Sequence, residues 1–268
     1  MRRILCLVGG ALLFWGSMSE SVAAGLGDLS ATVTSSFYTN TQVIGSEQDD
    51  SSLDLSTGLK YKLDDDLSLK ASTSFGRGLK KYDEWEFTSD TKAGISYGSH
   101  KINRTFSYTL SLNAYFPTTE NSRVYKESVL GIEIENAFSA KLQSILKGLS
   151  ASYRIRTAFN SYRTNVDFNG RSNTPYKIVQ IATLGYSPTD WIDFSFLAAF
   201  VNAWSYEYNS FESFKFAEEI STTVTDEISL AVGHEHGGGV LKADGRTSNL
   251  EFFDSNDSQF YLSLTVSL

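Results

Sequence analysis

The segment Phe260–Leu268 reads FYLSLTVSL, and its pattern decides the fold. Phe260, Leu262, Leu264, Val266 and Leu268 share one parity; Gln259, Tyr261, Ser263, Thr265 and Ser267 share the other. A β-strand points successive side chains to opposite faces, so the segment reads as a strand with one apolar and one wetted face. Soluble domains more often end in a polar, frayed tail. Here the alternation runs to the last residue.

The same period recurs upstream. Leu53, Leu55, Leu59, Tyr61 and Leu63 oppose Asp54, Ser56, Gly58, Lys60 and Lys62, and Phe106 to Phe116 repeats the pattern with Ser107, Thr109, Ser111 and Asn113 on the wet side. Period two sustained over about ten residues is a strand signal. Twelve strands are predicted, at 28–39, 52–63, 67–76, 91–100, 103–116, 126–138, 149–161, 175–187, 190–205, 212–224, 227–236 and 257–268. Glu218 falls on the apolar parity of the tenth, which implies a bulge or another register. The eleventh turns polar at His234-Glu235-His236 and is expected to leave the sheet there for a mobile, glycine-rich loop.

The connections alternate between tight ones, such as LDDDLS (63–68) and VTDE (224–227), and longer polar ones at 40–51, 77–90, 117–125, 162–174 and 237–256. Residues 139–148 break the short series and are expected to form a helical turn. Short and long connections at opposite ends are the habit of a transmembrane β-barrel. Closing the sheet also removes the edges a flat twelve-stranded sheet would expose. The competing fold is a soluble barrel or sandwich with its apolar face inward. Against it stand a second face rich in Ser, Thr, Gly and paired charges, aromatics such as Tyr61, Phe75, Phe116 and Trp204 near strand ends, and strand lengths that suit a tilted membrane crossing.

At the other end, Arg2 and Arg3 precede an apolar run from Ile4 to Trp15 and a small-residue exit at Val22-Ala23-Ala24. This is the layout of a secretory signal peptide over 1–24, leaving 25–268 as one barrel domain. Cys6, the one cysteine, lies inside it, so the mature chain is expected to hold no disulfide. The net charge of −8, with no basic block, argues against a nucleic-acid partner.

With these features the chain resembles the Gram-negative outer-membrane β-barrel proteins of the porin-like superfamily. Phe260–Leu268 is similar to the closing strand that this family presents to its assembly machinery, although the family usually ends in Phe or Trp rather than Leu268. YKLDDDLSLKAS and GYSPTDWIDFSF look like its periplasmic hairpins. The resemblance implies an all-β, closed, up-and-down antiparallel barrel with both termini periplasmic. Outer-membrane lipid, lipopolysaccharide and small solutes would be its partners.

Candidate functional residues lie on the wet parity. Glu133 and Glu135 share it on the sixth strand, Arg154 and Arg156 on the seventh; a connection at 139–148 would set Glu133 opposite Arg154. Lys60, Lys62 and Lys70 should face the lumen near the short-turn mouth, with Lys92 on the same wall further along. This wall could set ion selectivity or attract anionic solutes; the alternative is internal salt bridging that stiffens a closed lumen. GHEHGGG offers two histidines on one strand face, an incomplete metal site. Outer-membrane lipid hydrolases carry His-x-Ser on an outward face, and none of His100, His234 and His236 is followed by Ser at the second position. No catalytic, cofactor or metal role is therefore assigned. The expected function is passive diffusion of ions or small hydrophilic solutes; a structural or adhesive barrel acting through its loops is the rival, and a membrane-surface enzyme is a weaker one.

Overall fold

The computed structural model describes residues 28–40, 50–80, 83–103, 105–241, 246–254 and 257–268. The segment 1–24, read above as a signal peptide, lies outside the described residues. Twelve strands are present among the described ones: β1 (Leu29–Asn40), β2 (Ser52–Lys62), β3 (Leu67–Gly78), β4 (Glu86–Lys101), β5 (Phe106–Phe116), β6 (Ser128–Lys141), β7 (Leu149–Tyr162), β8 (Tyr176–Tyr186), β9 (Ile192–Trp204), β10 (Ser210–Thr223), β11 (Ile228–Gly239) and β12 (Gln259–Ser267). Each pairs antiparallel with its sequence neighbours, and β12 returns to β1, closing the barrel.

The opening segment makes the closure. Asn40 to Thr32 pair with Gln259 to Ser267 in unbroken register. The Leu268 amide donates to the Ala31 carbonyl at 2.9 Å, and the Ala31 amide donates back at 3.0 Å. The seam is thus paired along its whole register and locked at its end, as a spanning barrel requires.

Parity carries around the ring. Ser36 meets Ser263 at 2.7 Å, Thr34 meets Thr265 at 2.9 Å and Ser56 meets Ser74 at 2.9 Å, so hydroxyl ladders line the inside. The opposite parity leaves Leu262, Leu112 and Val232 more than half exposed on the outside. An apolar belt on the outer face and a polar inner face suit lipid outside and water inside. Two outward amides are silenced by tyrosines of the adjoining strand. Tyr108 OH donates to Asn136 and Tyr153 OH to Gln180, each at 2.7 Å.

The structure corrects three expectations. First, β6 runs on to Lys141, so its hairpin with β7 is a tighter one-turn loop in which the amides of Ile145 and Leu146 both reach the Leu142 carbonyl. The register sits four residues from the expected one: Glu133 opposes Ala158, Glu135 opposes Arg156, and Arg154 opposes Ala137. An even slip keeps every side chain on its face, so the four charged residues stay inward. Second, β10 pairs through Glu218 with both β9 and β11 without a bulge; Glu218 points outward. Third, β11 continues as strand to Gly239, past His234 and His236.

Candidate functional site: a charged lumen wall

Three adjacent strands build the central network. Glu133 on β6 is only 5% exposed, and three donors converge on its carboxylate. Lys92 Nζ from β4 lies 2.9 Å from Oε1, Asn113 Nδ2 from β5 lies 3.2 Å from the same oxygen, and Tyr115 OH from β5 donates to Oε2 at 2.8 Å. Lys92 Nζ also stands 5.2 Å over the Tyr115 ring, where the ring quadrupole attracts a cation. A buried carboxylate persists only when paired and hydrogen-bonded, and Glu133 is both.

Gly94 makes room for this. It pairs with Lys70 on one side and Asn113 on the other. A side chain there would overlap the Asn113 Oδ1 and the Leu112 carbonyl, pushing Asn113 off Glu133.

One step further round, Glu135 is bound by Arg156 Nε. On the far wall Lys215 on β10 pairs with Glu235 on β11 at 2.7 Å, and Tyr261 OH on β12 donates to Glu219 at 2.8 Å. These lumen ion pairs join strands that are adjacent or separated by one, so they lie along the wall instead of crossing it.

Other inward cations have no ion-pair partner among the described residues: Lys60, Lys70, Arg154 and Lys177. Lys60 and Lys70 sit directly opposite one another on β2 and β3. Together with Lys92, Glu135, Ser111 and Asn113 they line a cavity of about 380 Å³. A second lumen cavity, of about 520 Å³, opens among Ser107, Ser139, Lys141, Ser150, Ser152 and Thr183 near the short-turn end. Lys62, the last residue of β2, keeps the inward parity but lies at the rim, exposed and outside the cavity lining.

The structure thus brings Lys60, Lys70, Lys92 and Glu135 to one cavity and ties Lys92 to Glu133. Sequence reasoning missed Lys177, Lys215, Glu219 and Glu235. Lys177 sits on the inward parity of YKIVQIATLGY, opposite Ala158, and the alternation alone could have found it.

The outer wall of β9–β12 carries a different cluster. Glu218 and His234 face each other across β10 and β11 on the outward parity, with His234 Nδ1 2.8 Å from Glu218 Oε2. His236, 3% exposed, packs beside Phe214 and pairs across the sheet with Phe216. Among the described residues no group of three or more His, Cys, Asp or Glu side chains could hold a metal ion.

No protein-family model matches the chain, and no curated protein does. Solved structures do. An outer-membrane channel from Pseudomonas putida F1 aligns with a TM-score of 0.62 at 11% identity, over 92% of this chain and 97% of that one. The NanC porin aligns at 0.56 and 10% identity, over 89% and 100%. The KdgM porin aligns at 0.51 and 8%, over 88% and 99%. At these identities the likeness is one of architecture: the chain has the twelve-stranded fold of the outer-membrane β-barrels.

Proposed function

We propose that the chain is an outer-membrane protein whose barrel passes ions or small hydrophilic solutes by passive diffusion, with a preference for anions. The observation that carries this reading is the course of the lumen ion pairs. Lys92–Glu133, Glu135–Arg156 and Lys215–Glu235 each run along the wall between near-neighbour strands, which leaves the axis to water. The anion preference rests on Lys60, Lys70, Arg154 and Lys177, whose charges no described carboxylate neutralises by direct contact. Low-dielectric walls focus such a field on the path. That the fold's solved relatives include two porins and a channel supports the reading.

On this reading residues 1–24 direct export and are removed. The long-loop end faces outward, both termini face the periplasm, and β12 is the strand that the assembly machinery receives. The test is single-channel conductance of the refolded protein in a planar bilayer under a salt gradient, after the mobility shift of unheated protein on a detergent gel has confirmed folding. Discrete steps with anion-selective reversal are expected. A folded barrel that stays silent overturns the channel and moves attention to a closed, structural barrel.

A further inference from the structure

The lysine-lined cavity of about 380 Å³ stands on two cross-strand rows of the inner wall. One row sets Lys60 of β2 directly beside Lys70 of β3. The next, two residues along each strand, places Thr32, Gly58, Ser72 and Lys92 side by side on β1 to β4. Like charges directly opposite one another on a sheet are destabilising. Lys60 and Lys70 nevertheless share one inward row, with no carboxylate in contact among the described residues.

The other charges of this cavity are already matched. Lys92 is held by Glu133, and Glu135 by Arg156. What stays uncompensated is the charge of Lys60 and Lys70, two positive units side by side. Gly58 keeps the floor between them and the next row open. A Cβ there would stand 2.8 Å from Thr32 Oγ1, in the space between the Thr32 and Ser72 hydroxyls.

We propose that this cavity is a seat for a phosphate group bearing two negative charges, carried by inorganic phosphate or by a small phosphate monoester on its way through the barrel. The inference deepens the anion preference proposed above and rests on that reading. Three features select the ligand. A dianion matches both lysines at once, whereas chloride or a monocarboxylate leaves one charge over. Lysine ammonium groups are point charges with rotatable donors and suit the tetrahedral oxygens of phosphate, while a planar carboxylate is better matched by the fork of an arginine; no arginine is among the described residues that line this cavity. The hydroxyls of Thr32 and Ser72 can donate to the remaining oxygens, and the volume, at the small end of ligand sites, leaves room for the organic part of a monoester.

The test uses the full barrel in a planar bilayer, with chloride carrying the current at constant ionic strength and at about pH 8, above the second pKa of a phosphate monoester. Glycerol 2-phosphate, inorganic phosphate, malonate and acetate are added in turn. Both phosphates are expected to reduce the chloride current saturably, and acetate is not. Lys60→Gln with Lys70→Gln should raise the half-blocking concentration about tenfold, the scale of one lost charge-assisted hydrogen bond. Arg154→Gln removes an inward cation outside the cavity lining. It should lower the anion preference and leave the half-blocking concentration within about twofold, as expected of a separate site. Steady chloride steps with no phosphate block, or block that survives the double lysine variant, overturn the seat and leave the channel standing. Malonate that blocks as well as phosphate overturns the phosphate assignment, because charge alone is then read. Loss of block in Arg154→Gln equal to that in the lysine variant overturns the seat in favour of a diffuse field. A folded barrel that carries no current overturns the channel reading, and the seat with it.

Discussion

The inner and outer walls of this barrel each bury charged or titratable groups, and they treat them in opposite ways. Inside, Glu133 is met by Lys92, Asn113 and Tyr115, so its carboxylate is fully engaged. Outside, Glu218 holds one edge of His234, and the far nitrogen of that ring, with Nδ1 of His236, is buried with no hydrogen-bond partner among the described residues. A satisfied buried network stiffens a structure, whereas a partly satisfied one costs stability wherever nothing else completes it. The difference marks the first as a completed network and the second as one left incomplete among the described residues.

The largest effect that could break this comparison is on the inside. Glu133→Leu strips Lys92 of its counter-ion while keeping the volume filled. Removing one partner of a buried pair costs about 3–5 kcal/mol. The Lys92 side chain is 25% exposed, so the loss should fall at about 3 kcal/mol, the low end of that range. Urea unfolding in detergent, followed by the gel mobility shift, reads it out. Adding Lys92→Met should recover most of the loss, since an apolar pair replaces an ionic one at little net cost. A single variant as stable as the parent would show that the network is ornamental.

Selectivity comes next. Lys60→Glu with Lys70→Glu places two anions on the cavity wall that both lysines line. The anion-to-cation permeability ratio should fall about tenfold, equivalent to about 1.4 kcal/mol from charges within a Debye length of the path. The salt-gradient reversal potential measures it. An unmoved potential would place the path elsewhere. A gentler change sharpens the point: Lys70→Thr relieves the like-charged pair opposite Lys60 and should raise the unfolding free energy measured in urea by about 0.2–1 kcal/mol. The same reversal potential would show whether that stability comes with weaker anion preference.

How much of this the sequence disclosed depended on range. All twelve strands were legible, because alternation over ten residues is a local signal, and the ends erred by only a few residues. Register was not. The 139–148 connection looked symmetrical, and an even slip changes no face, so nothing in the pattern warned that Glu135 rather than Glu133 would meet an arginine. Lys92–Glu133 was out of reach for another reason: it joins β4 to β6 across β5, and no pairwise hairpin argument spans two strands. Glu218 is the instructive case. Its off-parity carboxylate read as a fault in the tenth strand, and the histidines of HEH as that strand's frayed neighbour. The two anomalies are one feature, a pair facing across β10 and β11, and each explains the other.

The smallest expected change tests the outer wall most sharply. In Glu218→Leu with His234→Phe, both members of the pair become apolar and no charge is stranded. Replacing both partners of a polar contact on a wall that faces an apolar medium by apolar groups of similar size is nearly neutral or stabilising. The unfolding free energy measured in urea should therefore stay within about 0.5 kcal/mol of the parent or rise. Conductance should be unchanged, because neither residue faces the lumen. If the variant instead loses as much stability as Glu133→Leu, the outer pair is a structural element like the inner one.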